Sequence, residues 1–142
     1  MMEKMTQAEV KEFLLEVPRT AKIATVREDG RPHVAPIWFD VDGDEIIFTT
    51  WHESIKAANL TRDGRVCLCI DDEVPPFAYV IIEGDVAISE DLDELRHWAT
   101  RIAGRYMGPA LAEAYGKRNG VKGELLVRVT PTNIIAQKNI AA

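Results

Sequence analysis

The sequence predicts a mainly β fold with short helices, in which six to seven mostly antiparallel strands curl into a partly closed barrel. Two tight Asp-Gly turns in succession, Asp29-Gly30 and Asp42-Gly43, describe an antiparallel meander and count against a doubly wound parallel sheet. A long extended run, FAYVIIEGDVAIS, has a Gly84-Asp85 step inside it, the mark of a bulge or bend that lets a small sheet curl. The 142 residues fit one domain.

Each element follows in order. Thr6 and Glu9 have capping-box spacing, and Val10, Phe13, Leu14 and Val17 fall on one helical face before Pro18 ends the helix. From residue 20 the period changes to extended. TAKIATV, HVAPIWF (33–39) and EIIFTT read as three strands joined by the two turns, and Pro36 marks its strand as an edge or a bulge. ESIKAANLTR predicts a helix of two or three turns, stopped by Asp63-Gly64, and RVCLCI a fourth strand. The long bent strand follows. Residues 91–118 are helical, with Asp91 and Glu94 at cap spacing and Leu95, Trp98, Ala99 and Ile102 as the buried stripe. Gly104, Gly108 and Pro109 divide this region in two. ELLVRVT (124–130) and NIIAQK (133–138) are the last two strands, split by Pro131.

Composition narrows the function. The apolar share is 46% and the charged share 28%, ordinary for a globular protein. No stretch approaches the roughly 20 apolar residues of a membrane helix. The opening MMEKMTQAEVKEF is charged and lacks a signal peptide's apolar run, so the cytoplasm is expected. The net charge of −6 is unevenly spread: residues 40–95 hold 3 basic and 15 acidic side chains, and residues 96–142 hold 8 basic and 2 acidic. The acidic middle argues against nucleic acid as a partner. The basic last third reads as a solvated face, a source of charge for an anionic ligand, or a surface for an acidic stretch of a partner chain. Cys67 and Cys69 share one strand face, where they cannot easily bridge, and no third thiol or suitably spaced histidine completes a zinc site.

Several chemistries lack their residues. The glycines form neither a Rossmann nor a Walker fingerprint, and no serine sits in a G-x-S-x-G elbow. His33, His52 and His97 are scattered, with haem ligation by His33 or His52 left as a minor alternative. The stretch FTTWHESIKAANL differs. Thr49 and Thr50 close a strand, and Ser54 and Lys56 open a helix, so hydroxyls, free helical N–H groups and an ammonium converge in a pattern suited to phosphate. An ordinary strand end and helix cap would look the same. Pro36 among apolar residues leaves backbone groups free for a flat heterocycle beside Ile37 and Trp38, though Trp38 is equally suited to the core.

Taken together, FLLEVPRTAKIATVREDGRPHVAPIWFDVDGDEIIFTT, SIKAANLTRDGRVCLCIDD and YVIIEGDVAI resemble the pyridoxamine-phosphate-oxidase-like split β-barrel superfamily, within it the flavin/deazaflavin oxidoreductases that use coenzyme F420. The resemblance implies a homodimeric split β-barrel with cofactor sites between subunits, spanning residues 1–142. It implies that Thr49, Thr50, Ser54 and Lys56 hold the cofactor phosphate, with Asn59 in the adjoining KxxNL portion. It also implies that Pro36, Ile37 and Trp38 lie along the ring and that Tyr79 approaches across the interface. The implied activity is hydride transfer between the deazaflavin and a small apolar or conjugated substrate, with solvent, Tyr79 or His52 as proton donor and no catalytic nucleophile. An FMN oxidoreductase, or a non-catalytic flavin or haem carrier of the same fold, is the alternative. The sequence departs from the pattern in three places. Ile55 stands where the oxidases have an arginine beside the lysine, Ser54 where many deazaflavin relatives have one, and NIIAQKNIAA replaces the oxidases' arginine-containing C-terminal motif. These departures count against vitamin B6 oxidation and leave Arg19, Lys22 or a partner residue to supply the missing charge.

Overall fold

The computed structural model describes residues 1–142. Short strand β1 (Glu3–Lys4) precedes helix α1 (Gln7–Glu16), and β2 (Ala21–Val26), β3 (Pro32–Ile37), β4 (Asp40–Asp42) and β5 (Glu45–Trp51) follow. Helix α2 (Ile55–Arg62) leads into β6 (Arg65–Asp72) and β7 (Ala78–Ser89). Helices α3 (Leu92–Met107) and α4 (Pro109–Asn119) then precede β8 (Glu124–Lys138). No helix is long and apolar enough to cross a membrane.

The eight strands form one sheet in the order β3-β2-β6-β7-β8-β5-β4, with β1 on β8, and every strand pairing is antiparallel. The predicted barrel is not formed. The sheet is open, with β3 and β4 as its edges, and the architecture is mixed α/β rather than mainly β. Two physical causes oppose closure. Pro32 and Pro36 remove two N–H donors from β3, as suits an edge. The corner between the edges, Trp38–Phe39, is held by a helix instead of a ladder. The Phe39 N–H donates to the Tyr106 hydroxyl at 3.2 Å, and the Arg105 guanidinium donates to the Phe39 carbonyl at 2.5 Å.

Helix α3 also explains the mixed architecture. Ile46, Ile47 and Phe48 are consecutive and all buried, which a one-sided strand cannot achieve. Ile46 and Phe48 enter the main core with Ile23, Phe39, Leu68, Val127 and Val129. Ile47 and Leu126 face the other way and pack on Leu95 and Trp98 of α3. That helix carries the predicted stripe, extended by Ala103.

Local predictions hold elsewhere with adjustments. The Thr6–Glu9 capping box is present in both directions, and Val10, Phe13 and Leu14 are buried, whereas Val17 is the exposed C-cap. DVDGD, read as a turn, contains strand β4. The last two predicted strands are one strand of 15 residues. Pro131 does not break it because the register shifts there: Glu83 faces Asn133 and Gly84 faces Pro131, leaving Thr132 as the extra residue, its hydroxyl on the Glu83 carbonyl.

Candidate functional site

The C-terminal end of β5 and the start of α2 form one wall of the candidate site. Thr49 and Thr50 end on a strand held by β8 through Leu126 and Leu125. Ser54 caps α2: its hydroxyl accepts from the Ala57 N–H at 3.1 Å and shares a hydrogen bond of 2.9 Å with the Thr50 hydroxyl. Capping fixes the first turn, so Lys56 projects from a defined position beside these hydroxyls.

A cavity of about 480 Å³ opens here, within the usual range for small-ligand sites. It brings together Pro36, Ile37, Trp38, Thr49, Thr50, Ser54 and Lys56, seven of the nine residues singled out from sequence. The other two are elsewhere. Asn59 is on the buried face of α2, away from the cavity lining, its amide donating to the Thr25 hydroxyl at 2.9 Å. Tyr79 lies on β7 opposite Gln137 and Asp71 and does not line the cavity. Arg19 and Lys22, the candidate substitutes for an arginine, are also absent from the lining. Arg19 binds the Phe13 carbonyl and Glu16, and Lys22 pairs with Asp71 at 3.2 Å.

Trp51 of the motif also lines the cavity, and chain segments remote from the motif complete it. Ala99, Ile102 and Ala103 of α3 supply an apolar wall, and Thr20, Asn119 and Glu124 close the remaining sides. The two alanines had a visible signal, since they sit four apart on the buried stripe and small side chains there leave space. Glu124 had none: a carboxylate at the start of a strand is ordinary until β8 is seen paired with β5, Glu124 opposite Trp51. Gly123 fits this junction because its φ of +102° disfavours a side chain, and a Cβ would lie 2.5 Å from the Trp51 ring.

The wall formed by β3 is unusual in its backbone. Trp38 lies between strands, and neither its N–H nor its carbonyl takes part in any hydrogen bond of the fold. These groups, beside a proline without an N–H, leave a donor and an acceptor for the edge of a polar ring. The indole is anchored by stacking on Tyr106, centroids 4.9 Å apart.

Electrostatics distinguish the opposite end. Lys56 makes no ion pair, and burial pushes its ammonium below the ordinary lysine range, with Glu124 pulling the other way. Burial likewise raises the Glu124 carboxyl, opposed by Lys56 and His52. Its Oε2 is buried without a hydrogen-bond partner. A half-buried ammonium among three hydroxyls, with an apolar wall opposite, can hold an anionic tail and a flat apolar body together. Cys67 and Cys69 play no such part, as burial raises both thiols.

Comparison with known proteins shows the family of the chain. Residues 6–138 match the family described as Pyridoxamine 5'-phosphate oxidase. A biliverdin reductase of Mycobacterium tuberculosis (strain CDC 1551 / Oshkosh) dependent on reduced coenzyme F420 is 33% identical over 91 residues, covering 63% of this chain and 64% of that protein, just under two thirds of its length. A conserved hypothetical protein of Mycobacterium tuberculosis superposes with a TM-score of 0.84 at 28% identity, covering 95% of this chain and 86% of that one. A solved F420 reductase superposes with a TM-score of 0.68 at 29% identity, covering 87% of this chain and 94% of its own.

Proposed function

The chain belongs to the pyridoxamine 5'-phosphate oxidase family, and from that premise we propose that it is an oxidoreductase using coenzyme F420 to transfer a hydride to or from a small apolar or conjugated organic molecule. The observation that carries this reading is the convergence, in one cavity, of Thr49, Thr50, Ser54 and Lys56 with the free Trp38 backbone and the Ala99–Ile102–Ala103 wall. That one relative is a biliverdin reductase dependent on reduced F420 and another an F420 reductase supports the choice of cofactor.

The residues present fit the group. Lys56 and the three hydroxyls would hold a phosphate, and the Trp38 N–H and carbonyl would meet the polar edge of the ring system. When bound, the reduced deazaflavin supplies a hydride. The protein's own part is positioning and exclusion of water. Ile37, Ala99, Ile102 and Ala103 are buried, and they exclude water from the apolar side of the cavity, against which the ring would lie. Asn59, tied to Thr25, steadies α2 and therefore Lys56.

The same reading treats residues 1–142 as one domain acting in a homodimer. Trp38 and Trp51 line the cavity and are exposed, as is Ile55 between Ser54 and Lys56, an apolar surface that a second copy would cover. Tyr79 would reach a site only across such an interface.

Parallel fluorescence titrations with coenzyme F420 and FMN test the proposal. Micromolar or tighter binding of F420, weak FMN binding, and at least a tenfold loss for F420 in Lys56→Ala are expected. A preference for FMN would transfer the site to flavin chemistry, and Lys56→Ala binding as tightly as wild type would overturn the phosphate assignment.

A further inference from the structure

We propose that anion binding at Lys56 is coupled to proton uptake by Glu124, which makes this carboxyl the element that sets the site's pH response. The inference rests on the reading of the Thr49–Lys56 wall as an anion site and goes beyond it.

The geometry carries the argument. Glu124 is the sole carboxylate lining the cavity and shares it with the single cation, Lys56. The two interact at a distance without forming an ion pair, and Glu124 Oε2 is buried with no partner. A buried carboxylate oxygen lacking any donor is unfavourable when ionised and tolerable when it bears a proton. An incoming anion sharpens the choice. It takes over the field of Lys56, which had been the principal cation stabilising ionised Glu124, and adds negative charge nearby. Protonation removes the repulsion and turns Glu124 into an O–H donor. The balance is simple: a proton from solvent forms the O–H bond at Glu124, the anion enters, and nothing is oxidised or reduced.

The surroundings contain few rivals for that role. From the turn after β5 the facing titratable group is His52, which holds the Gly123 carbonyl at 2.9 Å and lies 3.4 Å from Glu53. Helix α2 contributes Lys56, and Lys122 precedes Glu124 on its own segment. Helices α3 and α4 present only Ala99, Ile102, Ala103 and Asn119 to the cavity. Burial by itself raises the Glu124 carboxyl, in the direction the coupling requires.

Sulfate is a suitable probe because its charge is constant across the working range. Its affinity would be measured from pH 5.5 to 8.5 for wild type, Glu124→Gln, His52→Gln and Lys56→Ala, with folding checked by near-UV circular dichroism and Glu124→Ala as a second neutral variant. Wild-type affinity is expected to weaken with rising pH, by up to roughly tenfold per unit for one linked proton. Glu124→Gln and Glu124→Ala should lose that slope, and Glu124→Gln should bind more tightly than wild type at pH 8.5. His52→Gln should keep the slope. A flat wild-type profile, a slope surviving in Glu124→Gln, or one abolished by His52→Gln overturns the coupling while leaving the anion site intact. Sulfate binding to Lys56→Ala as well as to wild type would overturn both.

Discussion

The Trp38 indole lies flat on the Tyr106 ring, with centroids 4.9 Å apart and planes within 2°. Tyr106 is also the hub of three backbone segments. Its hydroxyl accepts from the Phe39 N–H and donates to the Arg19 carbonyl at 2.7 Å, joining helix α3 to the corner between the sheet's edges and to the loop before β2. One side chain therefore fixes both the indole and the backbone that line the cavity.

Tyr106→Phe should keep the stack but strand the Phe39 N–H and the Arg19 carbonyl. A loss of about 1–3 kcal/mol is expected in urea unfolding. Tyr106→Leu should cost about 0.5–1.5 kcal/mol more by losing the ring pair. A Tyr106→Phe protein as stable as wild type would show that water replaces both bonds at no cost.

Lys56→Met should abolish the salt sensitivity of cofactor binding. Wild-type affinity should fall between 0.05 and 0.5 M KCl, because a half-buried ammonium still faces screening solvent through the cavity mouth. Equal salt slopes in the two proteins would place the relevant cation elsewhere.

Ala103→Leu should fill the cavity from α3. Ala103 is buried against it, and a larger side chain takes the volume a ring would occupy. Cofactor affinity should drop at least tenfold with the protein still folded. Unchanged affinity would mean that the ring does not lie against this wall.

Acid should weaken the fold partly through Glu9. The Lys138 ammonium and the Thr6 N–H hold its carboxyl down to about 2. A lowered carboxylate stabilises the folded state fully above its ordinary value of 4.5, and that contribution disappears as pH falls from 4.5 towards about 2. The stability difference between wild type and Glu9→Gln should therefore shrink over this window in denaturant titrations. A difference constant with pH would refute the linkage.

Gly116→Ala should loosen the α3–α4 pair. A Cβ at Gly116 would lie 1.9 Å from the Thr100 hydroxyl and 3.0 Å from its Cα. A net loss of about 1–3 kcal/mol is expected despite alanine's better helix propensity. Thr100→Ala should recover part of the loss. Thermal unfolding of the single and double variants measures both.

Much of this structure was legible from residue pattern because the relevant signals are local. Ser54 and Lys56 sit within one helical turn, and their hydroxyl and ammonium chemistry does not depend on distant segments. The two Asp-Gly turns likewise sit where the hairpins close, with Gly30 and Gly43 at positive φ. Sheet closure was not legible. Pro32 and Pro36 mark an edge, but nothing local says that Tyr106 and Arg105, more than sixty residues away, cap the corner and leave the ladder open. Glu124 was missed for the same reason: its place in the cavity depends on strand pairing across the chain. Pro131 misled because a proline that breaks an isolated strand is tolerated where Thr132 supplies a bulge.

The position of β8 has a consequence for synthesis on the ribosome. This strand lies between β7 and β5, so it alone joins the β4–β5 hairpin to the β3-β2-β6-β7 part of the sheet. Until residues 124–138 leave the exit tunnel, the nascent chain holds two unconnected sheet fragments, each with an unpaired edge. Glu124 arrives on that same strand. Assembly of the sheet and completion of the cavity therefore become a single event that waits for residues 124–138, and a chain stopped before them has neither.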